Sequence, residues 1–153
     1  MPCHDAVVKN NVTVKPDESV EAVLKAIRKG KVNAVAVVDE KGHFLGIFSM
    51  KILLKNLIPV SVAMAGGIQI DVKVTAAPGV AKRLANIKGH PVSELMDRKP
   101  HCVVPDSSIW EGVSLLTKNG SPLCVVDDRG HFHGFITYDS LVTNLEDMHS
   151  TDS

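Results

Sequence analysis

The chain has 153 residues, of which 44% are hydrophobic, the length of one ordinary domain or of two small units around a shared core. Its 17 basic and 17 acidic side chains cancel, so no basic stripe points to nucleic acid or to an anionic membrane surface. The opening MPCHDAVVKN lacks the apolar core of a signal peptide, and the run LIPVSVAMAGGI falls far short of the roughly 20 residues that span a bilayer.

In chain order, Cys3 and His4 lie in a terminal segment of the kind that is often mobile. Pro16-Asp17 closes an extended stretch, because the residue before proline avoids the helical region. A helix follows, with Val20, Val23, Leu24 and Ile27 on one apolar stripe and Gly30 placed to end it. AVAVVD is apolar at nearly every position, as a strand buried on both faces should be. Asp39 and Gly42 then make a tight turn, HFLGIF returns as the second hairpin strand, and MKILLKNL forms a closing helix.

The segment from Ile58 to Pro91 is too long for an ordinary loop. IQIDVKV alternates like a strand, and PGVAKRLANIK reads as a short basic amphipathic helix stopped by Gly89 and Pro91. The segment is either a lid over the core or a surface for a partner.

The first pattern is then repeated. DEKGHFLGIF (Asp39 to Phe48) and DDRGHFHGFI (Asp127 to Ile136) lie 88 residues apart. Pro105-Asp106 again precedes a helix, with Ile109, Val113 and Leu116 on its stripe, Ser108 and Glu111 spaced as a capping box, and Gly120 at its end. PLCVVD matches AVAVVD, and YDSLVTNL matches MKILLKNL. Each copy reads β-α-β-β-α, an α+β unit. One copy alone leaves apolar surface bare, so the two should pack together. The expected division is repeat 1 over 1–62, an inserted linker with its helix over 63–91, repeat 2 over 92–148 and a disordered tail over 149–153.

The order P-D-x-[ST]-[VI], helix, V-V-D strand, D-x-x-G-x-x-x-G, G-[IF]-[FI]-[ST], met twice, resembles the CBS domain, and the tandem copy resembles a CBS pair or Bateman module. The resemblance implies two repeats packed with pseudo-twofold symmetry and two clefts between them that bind an adenosine-type ligand: AMP, ADP, ATP or S-adenosylmethionine. It also implies a homodimer and a regulatory, non-catalytic role exerted on a partner protein. The family's nucleotide signature, G-h-h-[ST]-x-x-[DN], places a hydroxyl at the phosphate and an acid at the ribose. Ser49 and Thr137 keep the hydroxyl. Ile52 and Ser140 stand where the acid belongs, and Asp139 comes one position early, where a regular helix aims it elsewhere. A carboxylate forms the stronger, charge-assisted bond to a ribose hydroxyl, but a serine still forms one. The second cleft is therefore favoured. The resemblance adds Pro122, Leu123 and Cys124 as the strand whose backbone lines an adenine, with Asn33, Ala34 and Val35 as their first-repeat counterparts.

Other features do not suggest separate chemistry. His131 and His133 share one strand face, but no third ligand has a recognisable metal-site spacing. No catalytic triad order, paired carboxylates or glycine-rich phosphate loop is recognisable, so no enzyme is read here. Cys3, Cys102 and Cys124 are odd in number and widely spaced. That argues against a disulfide framework and for a reducing cytoplasm, with Cys102 and Cys124 as small core residues. Trp110 either anchors an interface or covers the edge of the core. Three readings stand: an adenosine-sensing regulator, a dimeric interaction protein that kept the fold and lost the ligand, and, behind these, a metal-responsive protein using the histidines.

Overall fold

A computed structural model describes residues 3–8, 11–57 and 77–152. The first repeat holds β1 (Thr13–Val14), α1 (Val20–Gly30), β2 (Ala34–Val38), β3 (Phe44–Ser49) and α2 (Met50–Leu57). After α3 (Ala77–Ile87) the second holds β4 (Cys102–Val103), α4 (Ile109–Asn119), β5 (Leu123–Val126), β6 (Phe132–Ile136) and α5 (Tyr138–Asp152). In each sheet a short strand runs parallel to the middle strand, which pairs antiparallel with its hairpin partner. The β-α-β-β-α order in each copy is that expected from the sequence.

Side-chain alternation explains why the middle strands are apolar throughout. Val35 and Val37 enter the first core with Val20, Leu24 and Phe48. Leu123 and Val125 enter the second with Ile109, Leu116 and Ile136. The other faces, Ala34, Ala36 and Val38 on β2 and Cys124 on β5, meet Ile47 and Phe135 in a third cluster that joins the repeats. Successive side chains of a strand point to opposite faces, so each middle strand serves two cores.

Helix ends are set by local chemistry. Ser19 Oγ accepts from the Ala22 amide and Ser108 Oγ from the Glu111 amide, both at 3.2 Å. The Gly120 amide donates to the Leu116 carbonyl at 2.9 Å. Gly30, placed to end α1, is its last helical residue, and the left-handed φ of 53° falls on Lys31 just after it. The Gly30 position is crowded, since a Cβ there would stand 2.8 Å from Val12 Cγ2.

The duplicated turns face each other. Asp39 Oδ1 accepts from the amides of Lys41 and His43, and Asp127 Oδ1 from those of Arg129 and His131, all at 2.9 Å. Gly42 and Gly130 supply the positive φ, 84° and 85°. The Phe44 amide donates across the repeats to the Gly130 carbonyl at 2.7 Å. The His43 and His131 rings stack with centroids 5.0 Å apart and an interplanar angle of 1°, and Phe44 stacks on Phe132 at 5.6 Å. His133 Nε2 lies 2.9 Å from Asp127 Oδ2.

The repeats also exchange segments. Residues 3–8 pack on the second repeat: the Cys3 amide donates to the Ser107 carbonyl at 2.8 Å, and the Val8 amide to the Phe135 carbonyl at 2.8 Å. In return, the Val92 amide donates to the Glu18 carbonyl at 2.8 Å, and Ile47 and Asp97 exchange two backbone bonds of 2.9 and 2.8 Å. These contacts need bare backbone beneath them. A Cβ on Gly46 would meet the Asp97 carbonyl, and one on Gly134, whose φ is 145°, would meet Val7.

Several expectations change. Cys3, placed in a mobile terminus, is fully buried, its thiol donating to the Ser108 carbonyl at 3.2 Å. Cys102 is exposed rather than a core residue, because it lies on the opposite side of its strand from buried Val103. Trp110 is 78% exposed and does not cover the core edge. α5 continues to Asp152, into the stretch expected as a tail. The expected strand IQIDVKV lies outside the described residues. The basic helix of the linker is α3, and Leu84 and Ile87 on it pack against the first core, as a lid would.

Two outcomes test these contacts. Gly46→Ala forces a methyl against backbone that cannot rotate away, and should lower stability by about 1–3 kcal/mol in urea denaturation. The second concerns acid. Hydrogen bonding to His133, then to the His131 amide, lowers the Asp127 carboxyl from 3.8 to about 2. A depressed carboxyl stabilises the fold fully above its unfolded value and loses that contribution as the pH falls through its folded value. The melting-temperature gap between wild type and Asp127→Asn should be full above about pH 4 and close towards pH 2.

Candidate functional site

Both hairpins deliver a hydroxyl residue to the start of a helix, and both helices border one cleft of about 1310 Å³ between the repeats. Ser49 ends β3, and its Oγ accepts from the Ile52 amide at 3.2 Å, capping α2. Thr137 follows β6, and its Oγ1 accepts from the Ser140 amide at 3.1 Å. Ser140 Oγ reciprocates, accepting from the Thr137 amide at 2.8 Å. Thr137 and Ser140 thus form a capping box. The first repeat lacks this return bond because Ile52 has no acceptor; its side chain packs partly buried against the first core and the inter-repeat cluster.

Asn33, Ala34, Ser49, Pro122, Thr137, Asp139 and Ser140 all line this cleft. The two sets of candidates, expected in separate clefts, border a single continuous space. Asp139, which a regular helix was expected to aim elsewhere, lines it too. Val35, Leu123 and Cys124 are not among its walls, and all three are fully buried. Strand alternation sends Val35 and Leu123 into the two repeat cores and Cys124 into the inter-repeat cluster.

The cleft also contains residues that the sequence reading did not single out. Lys31, Lys51 and Lys55 line it, as do Asp5, Asp97, Asp139 and Asp147. Lys51 and Lys55 are one helical turn apart, a spacing that puts both on one face of α2. That spacing was the available signal, but it reads equally as an ordinary solvated face. Lys31 had none, since its place depends on the left-handed end of α1. His101 and Tyr138 complete the walls. A cavity lined by both lysines and carboxylates suits a ligand that carries an anionic group and hydroxyls. Among the described residues no cluster of three His, Cys, Asp or Glu side chains could hold a metal ion. No helix among them is long and apolar enough to cross a membrane.

Two α+β units that exchange segments and enclose a cleft define the class of paired, duplicated modules. The chain belongs to the CBS domain family, whose model matches residues 4–59 and 92–147. It is 24% identical over 148 residues to protein MJ1426 of Methanocaldococcus jannaschii, covering 91% of this chain and 88% of that one. Among solved structures, a CBS domain-containing protein from Bacillus anthracis superimposes with a TM-score of 0.73 at 15% identity, over 96% of this chain and 94% of its own. CBSX2 from Arabidopsis thaliana gives a TM-score of 0.72 at 21% identity, over 97% and 96%. CBSX2 in complex with AMP gives 0.71 at 22%, over 97% and 98%. At these identities the structures establish the shared fold.

The caps are separable from any ligand. Ser49→Ala removes the acceptor for the Ile52 amide and should cost about 1 kcal/mol of stability, read from denaturant midpoints without ligand.

Proposed function

We propose that the protein is a non-catalytic regulatory module that binds one adenosine-type nucleotide per chain in the inter-repeat cleft and signals its presence to a partner protein. The observation that carries this reading is the convergence of Thr137, Asp139, Ser140 and Pro122 with Lys31, Lys51 and Lys55 on one cavity. The base and ribose lie on the second-repeat side, and the phosphate reaches the lysines. A like-folded protein, CBSX2, is known in complex with AMP, which supports the ligand class. Signalling follows if the nucleotide has different affinities for two relative orientations of the repeats.

Assembly as a homodimer belongs to the same proposal. Leu54 on α2 and Val142 and Leu145 on α5 are exposed, 60%, 54% and 38% respectively. Apolar helix faces of this kind are commonly covered by a twofold partner. The internal pairing of the Thr137 and Ser140 hydroxyls favours the second reading, a dimeric interaction protein without a ligand.

Calorimetry with AMP, ADP, ATP and S-adenosylmethionine separates the readings. The expected result is saturable binding at one site per chain, and no heat with any of them supports the interaction protein. Removing one charged phosphate contact costs about 1.5–3 kcal/mol, so Lys51→Ala should weaken AMP roughly tenfold or more and leave adenosine nearly unchanged. Ser140→Asp should tighten AMP up to roughly tenfold, because one carboxylate oxygen can keep the cap while the other meets a ribose hydroxyl. Destabilisation without binding would instead mark a cleft closed to ligand. Light scattering should give twice the chain mass at micromolar concentration.

A further inference from the structure

Cys102 and Cys124 are far apart in the chain but are direct partners on adjacent strands. The register of β4 on β5 sets Cys102 opposite Cys124 and Val103 opposite Val125. Val103 and Val125 both enter the second core, so by alternation the two cysteines lie together on the other face. Adjacent strands run about 4.7–4.9 Å apart, inside the roughly 4.4–6.8 Å between Cα atoms that a disulfide requires.

Their surroundings give them different roles. Cys102 is exposed, and its thiol reaches the Pro100 carbonyl at 3.5 Å. Cys124 is fully buried among Ala34, Ala36 and Phe135. Contact with Cys124 lowers the Cys102 thiol below its ordinary value, while contact with Cys102 and burial push Cys124 up. The solvent-facing sulfur is thus the readier thiolate, and the protected one stands behind it. The first repeat shows that the fold does not need these thiols, since Thr13 and Ala36 form the corresponding first pair of β1 on β2.

We propose that Cys102 and Cys124 are a redox couple that closes to a cross-strand disulfide by exchange with a small-molecule disulfide. The Cys102 thiolate attacks one sulfur of the small disulfide and expels the other as a thiolate, which takes up the proton that Cys102 released. Cys124 then gives up its proton and attacks Cys102 Sγ, expelling the second small thiol. Two protein thiols are oxidised and one small disulfide is reduced to two thiols. The bond fastens β4 to β5 beside Pro100 and His101, which wall the cleft.

The test uses the full chain, folded, with oxidised glutathione as the probe, followed by alkylation, thiol counting and peptide mapping. The three free thiols should fall to one, Cys3, with a peptide joining Cys102 to Cys124. Cys102→Thr and Cys124→Ala import the residues that the first repeat already carries, and circular dichroism checks that both fold. Cys102→Thr should keep its Cys3 and Cys124 thiols, and Cys124→Ala should stop at a glutathione adduct on Cys102. Retention of all three thiols in the folded wild type overturns the proposal. So does a wild type that stops at the Cys102 adduct, or a Cys102→Thr variant that loses the Cys124 thiol.

Discussion

Each repeat depends on a middle strand buried on both sides. Val35 and Val37, like Leu123 and Val125, complete the repeat's own core, while Ala34, Ala36 and Cys124 complete the junction between repeats. A strand exposed on one face would need alternating polar residues, and the junction would then be wet. Small side chains on the junction face also let the two sheets approach closely. Folding and pairing of the repeats are therefore linked. Neither repeat can hide its middle strand alone, and the stacked His43–His131 and Phe44–Phe132 pairs form where the turns converge.

The exchange of segments follows from that closeness. Residues 3–8 lie on the second repeat and residues 92–97 on the first, each bonded to a hairpin strand beside a glycine. Gly46 and Gly134 are thus the places where foreign backbone touches the strand. Each hairpin strand leads directly into a helix cap, so the same arrangement brings Ser49 and Thr137 to the border of one cleft. The site is a consequence of how the repeats are joined.

Within the cleft, hydroxyl and charge have separate duties. The Ser49, Thr137 and Ser140 hydroxyls already bond to helix-start amides. A hydroxyl oxygen carries two acceptor sites and one proton, and Ser140 also donates its proton to the Thr137 carbonyl at 3.2 Å, which leaves it one acceptor site. Under the proposed nucleotide reading the lysines would add long-range attraction that the caps lack, and because they are exposed that attraction would be screened by salt.

The sequence alone determined the duplicated β-α-β-β-α order, the hairpin turns and most helix limits. Those features depend on local rules: apolar periodicity, the Asp39 and Asp127 turns, and serine caps. The family signature put Ser49, Thr137 and Ser140 at strand-to-helix junctions, which are local, and all three border the cleft. Only the tertiary structure decided that Cys3 is core, that Gly46 and Gly134 make room for exchanged backbone, and that Asp139 lines the cleft while Val35, Leu123 and Cys124 lie within the cores. It alone brought Lys31 to the cavity and set Cys102 beside Cys124. Each of these depends on a partner distant in the chain, and a one-dimensional pattern carries no record of which distant surface a residue will meet.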